Sequence, residues 1–263
     1  MAEADAIPLP HRSRGEGGPA IVLLHGFGAD RLSFSTLLKA LSQSRRTIAF
    51  DLPGHGAAAA WSPVPGAADD AKAVIASLDA MGIQRAAIVG HSLGGAVASL
   101  VGLMRPDLVD RLILLAPGGF GPEMNAAALR RYAEAVEEAD IAPAIEPFFG
   151  PAMGVPDGFA RVMAEQRRDE VLRASHRAIV EVIARGDGQG TLPLDRLADS
   201  PFPVSLVWGL DDGVLPAEQA INAPADFARH LLPGVGHMPH LEAPDVVLRI
   251  VERTILGALA SAD

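Results

Sequence analysis

Five short apolar runs punctuate the chain: AIVLL at 20–24, TIAF at 47–50, AAIV at 86–89, LILL at 112–115 and VSLVW at 204–208. They are brief, rich in β-branched or large apolar residues, and do not alternate with polar ones, which is the pattern of strands buried on both faces. Between them, 31–41, 69–81 and 93–104 carry apolar residues at helical spacing and run to helical length. Gly or Pro follows nearly every run. Alternation of this kind predicts a parallel sheet with helices on both faces.

The alternation lapses between about Gly118 and Asp199. Helical patterns at 125–139 and 159–185 occur there, separated by prolines and with no strand candidate. So long a stretch without a strand favours a helical insertion over the sheet rather than further sheet-flanking helices. Pro201 and Pro203 restart the sheet, His230 falls in the run expected to form its last strand, and a final helix is expected from Pro244 to about Ala260. No repeat or flexible linker divides the chain.

Composition narrows the chemistry. The 263 residues carry 22 Lys+Arg against 32 Asp+Glu, a net charge of −10, and the basic residues are scattered. That balance is wrong for a nucleic-acid partner, which calls for clustered cations. There is no cysteine, so disulfides, thiolate metal sites and a Cys nucleophile are excluded. The N-terminal segment MAEADAIPLPHRSRGEGG lacks the apolar core of a signal peptide, and a cytoplasmic location is the default expectation. One stretch, 86–104, is 19 residues without Asp, Glu, Lys or Arg, long enough for a membrane span. The GHSLGG at its centre breaks that pattern and predicts instead a strand, a turn and a buried helix.

Gly90-His91-Ser92-Leu93-Gly94 is a G-x-S-x-G motif placed after a strand pattern and before an apolar helix pattern. The pattern alone is a weak signal; its context predicts a serine on a sharp strand-to-helix turn with its hydroxyl projecting above the sheet. Gly90 and Gly94 flank that turn where larger side chains would collide. A serine hydroxyl attacks only when a base takes its proton and a third group orients the base, and on such a turn the partners follow in the order acid, then His. Four histidines follow Ser92. His176 sits among Arg and Ser on a predicted helix, where a solvated face is expected. His237, in the Gly-rich loop Pro233-Gly234-Val235-Gly236 before the last helix, is the expected base, with His240 its rival. The spacing of His237 and His240 could also suit a metal pair, but no carboxylate cluster accompanies it, and a catalytic zinc needs three protein ligands. The acid is expected at the end of the strand VSLVW, where Asp211 and Asp212 stand together; only one can face the imidazole.

The tetrahedral intermediate of acyl transfer needs two backbone N–H donors. Leu93, after the nucleophile, offers one, and Phe27, in the loop His25-Gly26-Phe27-Gly28 after the first apolar run, offers the other, its ring lining the acyl pocket. His25 is expected to shape that loop through side-chain hydrogen bonds, and 51–56 (DLPGHG) to form a rigid turn beside it.

Taken in order, HGFG, DLPGHG, GHSLGG, WGLDDGVLP and GVGHMPHLE resemble the α/β-hydrolase superfamily over nearly the whole chain. The resemblance implies an α/β-hydrolase fold: a mostly parallel sheet of about seven to eight strands with helices on both faces and an inserted helical cap. It implies one domain over 1–263, with core 1–117 and 200–263 and cap 118–199. The N-terminal segment is short for the usual first two strands, so the first is expected to be missing. The resemblance implies Ser92 as nucleophile, Asp212 as acid and His237 as base, an oxyanion hole at Phe27 and Leu93, and site-shaping roles for His25, Gly26, Gly28, Gly90, His91 and Gly94. A serine at 92 tells against haloalkane dehalogenases and epoxide hydrolases, which carry Asp there.

A closer likeness, in LAPGGFGPEMN at 115–125 and GHMP at 236–239, is to the hydrolase-like catalytic part of the acetoin dehydrogenase dihydrolipoamide acetyltransferase. No lipoyl-lysine segment accompanies it, which favours a stand-alone hydrolase. The expected activity is therefore cleavage of a small-molecule ester through an acyl-enzyme, the cap phenylalanines Phe148 and Phe149 lining an apolar pocket. Acyl transfer or carbon–carbon hydrolysis with the same residues, and a non-catalytic ligand receptor, are the alternatives. Neither a metal nor an organic cofactor is implied, and neither nucleic acid nor membrane is expected as a partner.

Overall fold

The computed structural model describes residues 7–61 and 66–256. Its strands are β1 His11–Arg14, β2 Ala20–Leu24, β3 Thr47–Phe50, β4 Ala86–His91, β5 Val109–Leu115, β6 Ala184–Arg185, β7 Gly188–Gln189, β8 Val204–Gly209 and β9 Ala228–Leu232. The helices are α1 Ser35–Leu41, α2 Ala67–Ala80, α3 Leu93–Met104, α4 Ala126–Glu134, α5 Glu138–Ile145, α6 Phe159–Gln166, α7 Glu170–Ile183, α8 Leu194–Ala198, α9 Glu218–Ile221, α10 Pro239–Glu242 and α11 Pro244–Leu256. Seven strands form one sheet in the order β1-β3-β2-β4-β5-β8-β9, parallel throughout except for β1, while β6 and β7 form a separate antiparallel hairpin. This is the α/β-hydrolase fold.

The sheet is a sandwich filling because its central strands are apolar on both faces. Along β2, Val22 and Leu24 enter one core while Ile21 and Leu23 enter the other; β4 divides Ala86 and Ile88 from Ala87 and Val89 in the same way. The first core is closed by α2 and α3 through Val74, Leu78, Val97 and Val101. The second is closed by α1 and α11 through Leu37, Leu38, Leu41, Val247 and Val251. Truncating a residue as enclosed as Leu23, which has no exposed surface, to Ala costs about 2–5 kcal/mol.

Several elements differ from their sequence patterns for identifiable reasons. The expected helix at 31–41 splits: Asp30 caps a 3-10 turn at 31–34 by accepting the Leu32 N–H at 2.7 Å, and α1 follows. β5 begins three residues before its apolar run, at Val109-Asp110-Arg111, because Val109 and Arg111 pair with Ala86 and Ala87 of β4; Arg111 is buried there with its guanidinium on the Thr254 carbonyl. The segment between β5 and β8 holds α4, α6 and α7 where helical patterns were expected, together with α5, which runs largely beyond the expected 125–139, the short α8, and the hairpin β6–β7, whose two-residue strands are too short to leave a periodic signature. The uncharged stretch at 86–104 is β4, a turn and α3. Among the described residues no helix is long and apolar enough to cross a membrane. The last four residues of the expected C-terminal helix, 257–260, lie outside the described residues.

Strand order positions the site. From β2 the chain moves to β3 on one side, then returns to β4 on the other. The carboxyl ends of β2 and β4 therefore lie side by side at the point where the winding reverses, with Leu24 paired to Gly90. Ligands of open parallel sheets bind at such a point, because the following loops diverge and leave a crevice.

Candidate active site

Ser92 joins β4 to α3 with φ 51° and ψ −115°, and shares with Ala116 a positive φ that is otherwise confined, among the described residues, to glycines. Strain of this kind costs about 1–3 kcal/mol and persists only where the surroundings impose it. Here they do. The Ser92 N–H donates to the Leu115 carbonyl at 3.0 Å, and the Ser92 carbonyl accepts the N–H groups of Gly95, Ala96 and Gly118 at 2.9, 3.1 and 2.9 Å. The flanking glycines are steric necessities. A Cβ on Gly90 would land on the Gly94 backbone, and one on Gly94 on the carbonyls of Leu24 and His25.

His237 reaches the serine from the loop after β9. Its Nε2 lies 2.9 Å from Ser92 Oγ and its Nδ1 2.8 Å from Asp212 Oδ2. The other carboxylate oxygen of Asp212 accepts the Val214 and Leu215 N–H groups, both at 2.8 Å. An acceptor-only carboxylate on Nδ1 requires the ring proton there, which leaves Nε2 free to accept from the Ser92 hydroxyl. Asp211 is turned away, accepting the Gly234 N–H at 2.8 Å and so anchoring the loop that carries His237. Glu242, which sequence reasoning passed over, holds the same loop: its carboxylate accepts the N–H groups of Gly236 at 2.9 Å, Met238 at 3.0 Å and Gly150 at 2.7 Å. The only sequence signal was a single acid five residues beyond the histidine.

Phe27 and Leu93 line one cavity together with Ser92. Among the described residues neither backbone N–H has a hydrogen-bond acceptor. His25 fixes the loop that carries Phe27. The Leu52 N–H donates to its Nε2 at 3.0 Å, so the proton is on Nδ1 and donates to the Gly26 carbonyl at 2.8 Å. Burial, opposed in part by that carbonyl, lowers the pKa of His25. Gly26 has no room for a side chain, a Cβ lying 2.7 Å from His91 Nδ1, and Gly28, at φ 73°, abuts Tyr132, whose hydroxyl donates to the Gly28 carbonyl at 2.9 Å. The turn at 51–56 is held by Asp51, which accepts the Arg31 and Ala57 N–H groups, both at 2.8 Å, and pairs with the Arg31 guanidinium.

Two histidines depart from expectation or stand apart from the serine. His176 is buried, not solvated: α7 turns it onto Phe27 and His55, with ring centroids at 5.5 and 5.0 Å. Its place beside Ile179 and Val180 on one helical face was the signal that it points inward. Burial, reinforced by Arg167, lowers its pKa to about 3. His240 stacks on Phe34 at 4.7 Å with no hydrogen-bond partner on either nitrogen, and burial lowers its pKa to about 3. Among the described residues no three His, Asp or Glu side chains gather so as to hold a metal.

Ser92 opens onto two cavities. One, of about 290 Å³, is walled by Tyr132, Ile145, Phe148, Phe149, Phe159 and Met163. The other, of about 310 Å³, runs under the β6–β7 hairpin. Phe27 stands between them, lining both.

Comparison with known proteins agrees with this architecture. The chain is 30% identical over 242 residues to the dihydrolipoyllysine-residue acetyltransferase component of the acetoin cleaving system of Cupriavidus necator, covering 92% of this chain and 65% of that protein. It is 34% identical over 233 residues to the component of the same name from Pseudomonas putida, covering 89% and 62%. The chain thus spans just under two thirds of the length of both relatives. A meta-cleavage product hydrolase from Pseudomonas fluorescens superposes with a TM-score of 0.83 at 20% identity, covering 94% of each chain. A carboxylesterase from Bacillus subtilis superposes with a TM-score of 0.74 at 20% identity, covering 94% of this chain and 87% of that one. Residues 21–250 match the model of the alpha/beta hydrolase family, and the chain belongs to that family.

Proposed function

We propose that this protein is a serine hydrolase that cleaves small-molecule carboxylic esters through an acyl-enzyme. The observation that carries the reading is the unbroken hydrogen-bond chain Ser92–His237–Asp212, with Ser92 on the wall of both cavities. His237 Nε2 takes the Ser92 proton as Oγ attacks the carbonyl carbon. Asp212 holds the ring tautomer and stabilises the imidazolium. The N–H groups of Phe27 and Leu93 meet the oxyanion, each donor of this kind contributing about 10²–10³ in kcat. His237 then protonates the leaving alcohol, and later activates water to release the acid. The cap phenylalanines exclude solvent from the acyl group.

A second reading is supported by the two acetoin-system relatives, named as acetyltransferase components. In that case a thiol takes the place of water in the second half-reaction, with the same residues in the same roles. Carbon–carbon hydrolysis is the name-based reading of the meta-cleavage product hydrolase neighbour. The test is turnover of p-nitrophenyl esters of graded chain length by the wild-type protein and by Ser92→Ala, with product analysis in the presence and absence of a dithiol. Serine-dependent release of free acid is expected. A Ser92→Ala protein as active as wild type would overturn the reading, and an acyl thioester as main product would move it to transfer.

A further inference from the structure

We infer that the substrate has two unlike halves straddling Ser92, and that Arg185 recognises an anionic group, most simply a carboxylate, on one of them. The inference rests on the serine-hydrolase reading above and names the substrate class of that site.

The two cavities differ in charge. The first is lined mainly by aromatic and aliphatic side chains, with Ser33, Ser35, Thr36 and Gln166 at its polar part, and among the described residues the one carboxylate on its wall is Asp30. An anion placed there would meet a like charge and no cationic side chain among the described residues. The second has, among the described residues, Arg185 as the sole acidic or basic side chain on its wall. Among the described residues no Asp or Glu oxygen lies within ion-pairing distance of Arg185, as holds for most of the arginines; carboxylate partners occur at Arg31, Arg85, Arg105, Arg111, Arg130 and Arg173. What sets Arg185 apart is its place, on the wall of a cavity that Ser92 also lines and that offers an anionic ligand no competing carboxylate among the described residues.

The hairpin that carries it is fastened down. The Gly119 N–H donates to Gln189 Oε1 and Gln189 Nε2 donates to the Gly121 carbonyl, both at 3.0 Å, while the Gln189 N–H donates to the Pro122 carbonyl at 2.9 Å. From the other side Arg130 donates to the Gly186 carbonyl at 3.0 Å. Gln189 is thereby consumed in building the wall and is not free for substrate. Gly190 is the clearance: a Cβ there would sit 3.2 Å from the Arg185 guanidinium carbon. A planar guanidinium with five N–H donors matches a carboxylate in two parallel hydrogen bonds. Arg185 is also exposed to solvent, which weakens its pull, so the discrimination expected is about tenfold rather than a thousandfold.

The test compares ester pairs that differ only in charge, with the anion on the acyl side (p-nitrophenyl hemiglutarate against p-nitrophenyl pentanoate) or on the alcohol side (3-acetoxybenzoate against 3-methylphenyl acetate). In one of the two series the wild-type protein is expected to favour the anionic ester about tenfold in kcat/KM, mainly through KM. Arg185→Gln should abolish that preference while keeping turnover of the neutral esters within about twofold, which also shows that the variant is folded; Arg185→Lys should restore part of it. Calorimetric titration of the Ser92→Ala protein with glutarate provides a reading independent of turnover: binding is expected, and expected to be lost on adding Arg185→Gln. A neutral preference in both series, or an anionic preference untouched by Arg185→Gln, would overturn the inference and leave the hydrolase reading standing. Absence of any ester turnover would sink that reading, and glutarate binding indifferent to Arg185 would then sink the inference as well.

Discussion

His91 donates its Nε2–H to the backbone carbonyl of His237 at 2.7 Å, so the residue before Ser92 holds the main chain of His237. The ring can donate only from Nε2 in this position, and its Nδ1 is buried without a partner. Burial, with His240 and His237 nearby, lowers its pKa well below the usual histidine value and keeps it neutral. The spacing between Ser92 Oγ and His237 Nε2 is thus set by a link between β4 and the loop after β9 that bypasses the reacting atoms.

Replacing His91 by Phe keeps a flat ring and removes the donor. A buried carbonyl left unpaired costs about 1–3 kcal/mol, and here the cost falls on the position of the base. We expect kcat for ester hydrolysis to fall about tenfold with KM changed less than about twofold. An unchanged kcat would show that the His237 loop holds its place without this bond.

The paired acids separate the same way. Asp212→Asn should lower kcat by about 10³–10⁴, because the amide can no longer fix the imidazole tautomer. Asp211→Asn keeps an oxygen for the Gly234 N–H and should cost less than about fivefold. Steady-state kinetics on one ester decides between them, and equal losses would contradict the geometry.

Local pattern carried most of the sheet, and β2, β3 and α3 end where their apolar runs end. The Ser92 turn and the loops of Phe27 and His237 were legible because each combines a strand end with residues that only a tight turn tolerates. What was not legible depends on chain segments far apart in sequence. His176 is buried because α7 packs on the 51–56 turn, and Asp211 and Asp212 have identical side chains whose directions are set by Gly234 and Val214. Glu242 gives no local sign that its three partners include Gly150 on the cap side.

Glu242→Gln tests that clamp. Its carboxylate serves three N–H groups, and an amide offers a single acceptor oxygen, so one or two N–H groups lose their partner. At about 1–3 kcal/mol for an unpaired buried group the melting temperature should fall by about 2–10 °C, with kcat reduced in parallel. Differential scanning calorimetry beside kinetics would show it, and an unchanged melting temperature would remove the clamp from the account.

Acid should unfold the protein early. His25, His55, His91, His176 and His240 all have pKa values lowered by burial, the last two to about 3. In each case the unfolded chain binds a proton that the folded chain refuses. The stability they contribute is complete above pH 6.5 and is lost as pH falls from there towards the folded values. Melting temperatures measured from pH 7 to pH 4 should drop steadily, and less steeply in His240→Phe, which keeps the stack on Phe34 without a titrating ring. A flat profile would contradict the burial of these rings.

Asp70 runs in the opposite direction. It is buried in the first turn of α2 with Oδ1 unpartnered, and burial, with Asp69 adding repulsion, raises its pKa to about 8. The folded protein therefore holds a proton that the unfolded chain releases near pH 3.8. Its contribution is intact below that value and is lost as pH rises through the window up to about 8. Asp70→Asn keeps the shape of the neutral acid and cannot ionise, so it should match wild type near pH 4 and exceed it increasingly towards pH 8. At about 1.4 kcal/mol per pH unit, the shift sets an upper bound of about 6 kcal/mol, or about 10–20 °C in melting temperature, on the gain at the upper end. A gap between the two proteins that stays constant across this range would show that the carboxyl is ionised in the fold and finds compensation from its surroundings.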